Sequence, residues 1–122
     1  MADRIFLEEP CLGLSLSALA CPMGGDWAVM ILGGSRPHMG SVSGAYWEDG
    51  AVRCETSAGQ GHRDDVVSRR FAEALARSRR CSVSVSCGIH YDALTKEELA
   101  LVLAAADRLL ERLIARLGGD PL

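Results

Sequence analysis

The chain contains three histidines, His38, His62 and His90, and each lies in a glycine-containing segment: Gly33-Gly34-Ser35-Arg36-Pro37-His38, Gly59-Gln60-Gly61-His62-Arg63 and Gly88-Ile89-His90. Three neutral imidazoles around one ion, with a fourth position open, suit a zinc-like divalent metal. Carboxylates stand close in sequence to two of them, Asp64 and Asp65 after His62 and Asp92 after His90. Such groups orient ligating imidazoles from behind. Asp64 and Asp65 can equally serve as first-turn partners of a helix dipole. No HxH or HExxH spacing is present, so any metal site must be assembled by the fold. A single histidine near a turn is more often solvated or a cap. Three on one edge shift that balance, because binding groups gather on loops held by a rigid scaffold.

The same segments carry a second chemistry. Gly33-Gly34 ahead of Arg36, and Gly59-x-Gly61 ahead of a helix start, offer backbone N–H groups to an anion. Arg36 and Arg63 supply the charge that would complement a phosphate. Gly34, Arg36, Gly61 and Arg63 are therefore candidate ligand contacts, and Tyr91 beside His90 is the aromatic placed to line the site. Neither glycine segment matches a P-loop or GxGxxG, and flexible turns with surface arginines explain the same residues. No serine or cysteine stands in a setting that would activate it as a nucleophile.

Periodicity supplies the elements that position these groups. Cys11 to Ala20 alternates leucine and alanine with serine, the period of a half-buried strand. Met23-Gly24-Gly25 turns the chain into the apolar run Trp27 to Leu32, as in a central strand. Ser41 to Trp47 and Ala51 to Thr56 flank Asp49-Gly50, a strong hairpin signal. Ile5 to Leu7 is a further short strand at the start. A helix follows Gly61, burying Val67, Phe71, Ala74 and Leu75 while Arg69, Arg70, Glu73, Arg77 and Arg80 face outward. Cys81 to Cys87 alternates again, ending at Gly88-Ile89-His90. The last helix opens on the capping box Thr95-x-x-Glu98 and stops at Gly118. Its apolar stripe reads Leu99, Val102, Leu103, Ala106, Leu110, Leu113, Ile114 and Leu117. The order β-β-β-β-α-β-α, with one more strand in front, predicts an α+β domain over residues 1–122: a mostly antiparallel sheet with both helices on one face.

Strand direction then decides where the histidines go. If the Trp27 strand runs up, the Ser41 strand runs down and the Ala51 strand up. The helix returns down, so the Cys81 strand runs up again. All three histidines fall at the upper end of upward strands, on one edge of the sheet. Trp27 and Trp47 fall near the lower edge, as core residues.

A net charge of −3 removes the basic field that nucleic acid or anionic lipid would need. No apolar run reaches ~18 residues, and Met1-Ala2-Asp3-Arg4 has no secretory apolar block, so a cytoplasmic protein is expected. The cysteines Cys11, Cys21, Cys54, Cys81 and Cys87 are odd in number and form no CxxC pair, so they read as plain thiols. A homodimer is also expected, because half of the alternating strand faces have no helix to cover them.

The phrases Gly33-Gly-Ser-Arg-Pro-His-Met-Gly40, Gly61-His-Arg-Asp-Asp65 and Gly88-Ile-His-Tyr-Asp92 resemble those of the LpdD-like prenylated-flavin chaperone family, found with gallate-type decarboxylases that use prenylated FMN. The resemblance spans most of the chain. It implies a non-catalytic protein that binds reduced prenylated FMN and assists its delivery or maturation, through a divalent metal held by His38, His62 and His90. It also implies a prenylated-FMN-dependent decarboxylase and a flavin prenyltransferase as partners. The residues alone leave two other readings open. One is a metal-dependent hydrolase or lyase, with Asp65 or Asp92 as general base. The other is a structural subunit of a decarboxylase complex.

Overall fold

The computed structural model describes residues 3–59 and 64–118. Six strands and two long helices follow in the order β1 (Ile5–Cys11), β2 (Leu14–Met23), β3 (Asp26–Gly34), β4 (Ser41–Glu48), β5 (Ala51–Ala58), α1 (Asp65–Arg79), β6 (Val83–His90) and α2 (Lys96–Leu117). The strands form one sheet in the order β1-β2-β3-β6-β4-β5. Every pair is antiparallel except β3 with β6. The directions are those expected from connectivity, but β6 inserts between β3 and β4.

The first hairpin differs from the sequence expectation. The run from Cys11 to Ala20 is not one strand. It is broken by a two-residue turn at Leu12 and Gly13, both with positive φ (50° and 77°). Leucine seldom occupies the first place of such a turn, where asparagine or aspartate is favoured, so the alternation of leucines masked it. The Asp49–Gly50 hairpin uses the same geometry with the expected residues, at φ 52° and 80°. The β3 and β6 strands also run further than their apolar segments. Gly33, Gly34 and His90 are still paired within the sheet.

Alternate residues of the strands, among them Leu16, Ala18, Val29, Ile31, Val83 and Val85, point to a core shared with Phe71 and Leu75 of α1 and Leu109, Leu110 and Leu113 of α2. α1 packs on β4, β5 and β6, and α2 on β1 and β2. The stripe on α2 is rotated from the expected one. Ala105 and Leu109 are buried, whereas Leu99 and Leu103 remain 47% and 40% exposed. Leu103 borders a small hollow between the helices, shared with Val66, Val67, Arg70 and Phe71 of α1. The Thr95–Glu98 capping box forms as expected, and Gly118 closes the helix in the left-handed conformation. Glu9 receives Arg108 and Arg112 and ties α2 to β1.

A buried hydroxyl cluster fastens the start of α1 to β4. Ser68 Oγ is 2.8 Å from both Ser41 Oγ and Ser43 Oγ, and Ser43 is 2.7 Å from Thr56 Oγ1. Ser41, Ser43 and Ser68 are all buried, so their hydroxyls depend on one another, on Thr56 and on the Asp65 carbonyl for partners. Ser68→Ala should lower stability by about 1–3 kcal/mol, the cost of leaving buried hydroxyls short of a partner. Urea denaturation checks this; an unchanged midpoint would mean the cluster adds nothing.

Candidate functional site

The upper ends of β3, β6 and β4 are held together by backbone contacts that require glycine. Gly34, at φ 86°, lies so flat on β6 that a Cβ there would fall 1.9 Å from the His90 carbonyl oxygen. Ser35 N–H donates to that oxygen at 2.8 Å. The β3–β4 loop then crosses the end of β6. A Cβ on Gly88 would meet the His38 carbonyl oxygen at 1.1 Å, and Gly40 N–H donates to Cys87 O at 2.8 Å. Lying on Gly88 brings the His38 ring to 5.6 Å from the His90 ring, centroid to centroid, at a tilt of 46°.

The exit from β5 and the start of α1 reach the same loop. Gly59 N–H donates to Gly40 O at 2.8 Å. Asp64, the N-cap of α1, is 9% exposed, and its Oδ2 is 1.9 Å from where a Gly40 Cβ would stand. His62, Gly61 and Arg63 lie outside the described residues. Among the described residues no three metal-donor side chains cluster. His38 and His90 are therefore the pair whose placement is seen.

Charge surrounds His90. Its Nε2 is 2.9 Å from Asp92 Oδ1 and 3.1 Å from Arg36 Nη2, and Arg36 is 3.6 Å from Asp92. One ring nitrogen cannot satisfy both neighbours at once. Protonated, Nε2 donates to Asp92 and faces the guanidinium hydrogens; unprotonated, it accepts from Arg36 and faces the carboxylate. The protonated form leaves Nδ1 as the lone-pair donor, the arrangement in which a carboxylate orients a ligating imidazole. The hydrogen bond from His90 and the charge of Arg36 hold the Asp92 carboxyl below the ordinary aspartate value.

The remaining candidates have definite places. Gly34 is occupied in the β3–β6 contact just described. Arg36 points to His90 and Asp92. Tyr91 turns the other way: its hydroxyl donates to Cys11 O at 2.9 Å and its ring packs against the core. Burial and that contact push its phenol pKa up. Gly40 and Gly88 were not singled out from the sequence, although both stand beside a site histidine. Their only signal is a glycine within each histidine phrase, and the reason for it lies in contacts across 50 residues of chain. A hollow of about 530 Å³ runs along the outer side of α1. Its lining of Asp65, Arg69, Glu73 and Arg77 is the solvated face of that helix, and neither His38 nor His90 borders it.

The pair fits part of a metal site. Rings bound to one ion through nitrogens at ~2.1 Å have centroids roughly 5–6 Å apart, and the His38–His90 spacing falls in that range.

Asp92 should titrate below 3.8, with its contacts contributing stability above that pH and losing it as the pH falls through the lowered value. His90→Ala should raise the Asp92 value most and Arg36→Ala less, following the order of causes. Carboxyl-detected NMR titration checks both. A titration at the ordinary aspartate value in the unmodified protein would show that the three side chains do not interact in solution.

Comparison with known proteins adds three findings. The model of the prenylated flavin chaperone LpdD-like domain matches residues 11–118. Protein LpdD of Lactiplantibacillus plantarum is 28% identical over 111 residues, which is 89% of this chain and 82% of that protein. The fold is similar, at a TM-score of 0.64 and 11% identity, to a chain in the crystal structure of a novel chaperone complex for yeast 20S proteasome assembly, covering 91% of this chain and 94% of that one. The last is a likeness of fold alone. The match over the site loops and both helices shows that the chain belongs to the prenylated flavin chaperone LpdD-like family.

Proposed function

We propose that the chain is a non-catalytic carrier that binds reduced prenylated FMN at the His38–His90 edge and helps deliver or mature it for a decarboxylase. The observation that carries this reading is the pair of imidazoles at 5.6 Å, with Asp92 against the Nε2 of one of them. His38 and His90, with His62 as the third ligand, would hold a divalent ion. That ion would supply positive charge to the flavin phosphate, and Arg36 would add to it beside His90. Gly61 and Arg63 would complete the phosphate shell from the start of α1, where the helix dipole favours an anion.

Exposure suits a carrier. Side-chain exposure is 31% for His90 and 72% for Arg36, so the groups lie on an open edge from which a ligand can be handed on. An enzyme that activates water on the metal would need a free general base. Asp92 is instead held by His90 and Arg36, as an orienting group is. A flavin prenyltransferase would supply the cofactor, a prenylated-FMN-dependent decarboxylase would receive it, and the exchange would take place in the cytoplasm. Among the described residues no helix is long and apolar enough to cross a membrane.

Anaerobic titration tests the reading. Phosphorylated reduced flavin should bind at least tenfold more tightly than reduced riboflavin, since the phosphate charge dominates the contact. His38→Ala should weaken the phosphorylated form and narrow the difference. Metal content should be lost in the His38/His62/His90 triple alanine variant, and Asp92→Ala should reduce metal affinity by about 10–100-fold. Equal affinity for both flavins, or equal metal in the triple variant, would overturn the proposal.

Gly88→Ala offers a test that leaves every proposed ligand in place. The added methyl must push His38 off the end of β6. Metal and flavin binding should fall as far as in His38→Ala while the circular dichroism spectrum stays that of a folded α+β protein. Undiminished binding would show that the loop crossing does not build the site.

A further inference from the structure

The helices cover only one face of the sheet, and the other face is laid out as an interaction surface. Its middle row crosses all six strands: Phe6, Leu19, Met30, Ser86, Val42 and Ser57 are neighbours in register. No residue of that row is charged. The next row down, Cys21, Ala28, Ser84, Gly44 and Glu55, carries a charge only on the edge strand β5. The next row up, Glu8, Ser17 and Leu32, carries one only on the edge strand β1, and on β6 it ends at Gly88, which the β3–β4 loop covers. Phe6 is 57% exposed, Met30 45%, Val42 37% and Tyr46 45%. Water therefore meets a neutral, largely apolar centre with charges confined to its rim, the pattern of a protein interface.

We propose that this face is where a second copy of the chain docks, sheet against sheet. Shape and area choose the occupant. Small side chains at Ala28, Gly44, Ser84 and Ser86 leave the middle flat, and the Tyr46 ring lies down over Gly44 instead of standing up. Six strands spaced ~4.8 Å apart, with a paired length of about seven residues at ~3.3 Å each, span roughly 600 Å² in projection. With the relief of the side chains, that approaches the ~800 Å² per partner of a stable specific interface. A docked helix, ~10 Å wide, would leave more than half of it wet. A second copy presents the same flat neutral area and covers the face below the β3–β4 loop, as two sheets do when they stack ~10 Å apart. A monomer would keep an apolar patch of several hundred Å² in water, which soluble monomers seldom do.

The surface borders the site. On β6 the outward positions run Ser84, Ser86, Gly88 and His90, and the β3–β4 loop lies on Gly88, so that loop and His90 stand at the rim of the docked copy. The dimer does not depend on what the histidines bind, and its test involves neither metal nor flavin.

Light scattering and sedimentation on the purified chain decide the matter. The unmodified protein should show twice the 13.0 kDa chain mass at micromolar concentration. Met30→Glu and, separately, Val42→Lys should weaken self-association on the order of 100-fold or more by burying an unpaired charge in the apolar centre of the interface. Both side chains point away from the core, so circular dichroism should show each variant folded. Leu101→Glu, at an exposed site on α2, should remain dimeric. A single-chain mass for the unmodified protein would overturn the proposal and give the face to another partner. A dimer that survives both sheet substitutions, or is lost in Leu101→Glu, would place the interface elsewhere.

Discussion

The parallel pairing of β3 with β6 is the contact on which the remainder depends. Hairpins alone would lay β4 beside β3. The β5–α1–β6 crossover instead inserts β6 between them, so the β3–β4 loop must cross the end of an intervening strand. That crossing is possible only if the residue beneath it has no side chain. Gly88 meets this requirement, and His38 is carried onto His90 as a result. The proximity of two histidines 52 positions apart is thus a consequence of strand order and one missing Cβ.

Once the loop is in place, electrostatics refine the site. Arg36 and Asp92 compete for one ring nitrogen of His90, and each also attracts the other. Such a set is poised: a cation arriving on the other side of the ring would favour the tautomer that donates to Asp92, leaving the guanidinium available to an anion. Surface ion pairs of this kind contribute little to stability. Their value lies in orientation. The stability of the region comes from beneath, where the Ser41–Ser43–Ser68 cluster fastens α1 to β4.

The two faces of the sheet divide the work. One is filled by Phe71, Leu75, Leu109, Leu110 and Leu113 and gives the fold its core. The other has no such cover, yet on β3 it is hardly more polar. The continuous apolar run of β3 reflects this: Val29 and Ile31 belong to the core, Ala28, Met30 and Leu32 to the open face. A strand with water on one side needs only alternate apolar residues, so a run apolar on both sides indicates that both are meant to be covered.

Much of this was legible in the residues themselves. The periods of two and 3.6, the Asp49–Gly50 turn and the Thr95–Glu98 box are local signals, each complete within a few residues, and they determined the elements, their directions and the edge where the histidine loops emerge. The phrases around His38, His62 and His90 pointed to the family. Local signals failed where a residue acted against its type, as Leu12 does in its turn, or where packing partners chose the buried stripe, as on α2. Only the tertiary structure decided that β6 lies between β3 and β4, that Gly34 and Gly88 are spaces for backbone, and that Tyr91 turns toward Cys11 and away from the site. The physical reason is range. Period and capping energies are set by neighbours along the chain, whereas strand order and close backbone approach are set by partners some 50 to 80 residues away, and no pattern within a single segment records them.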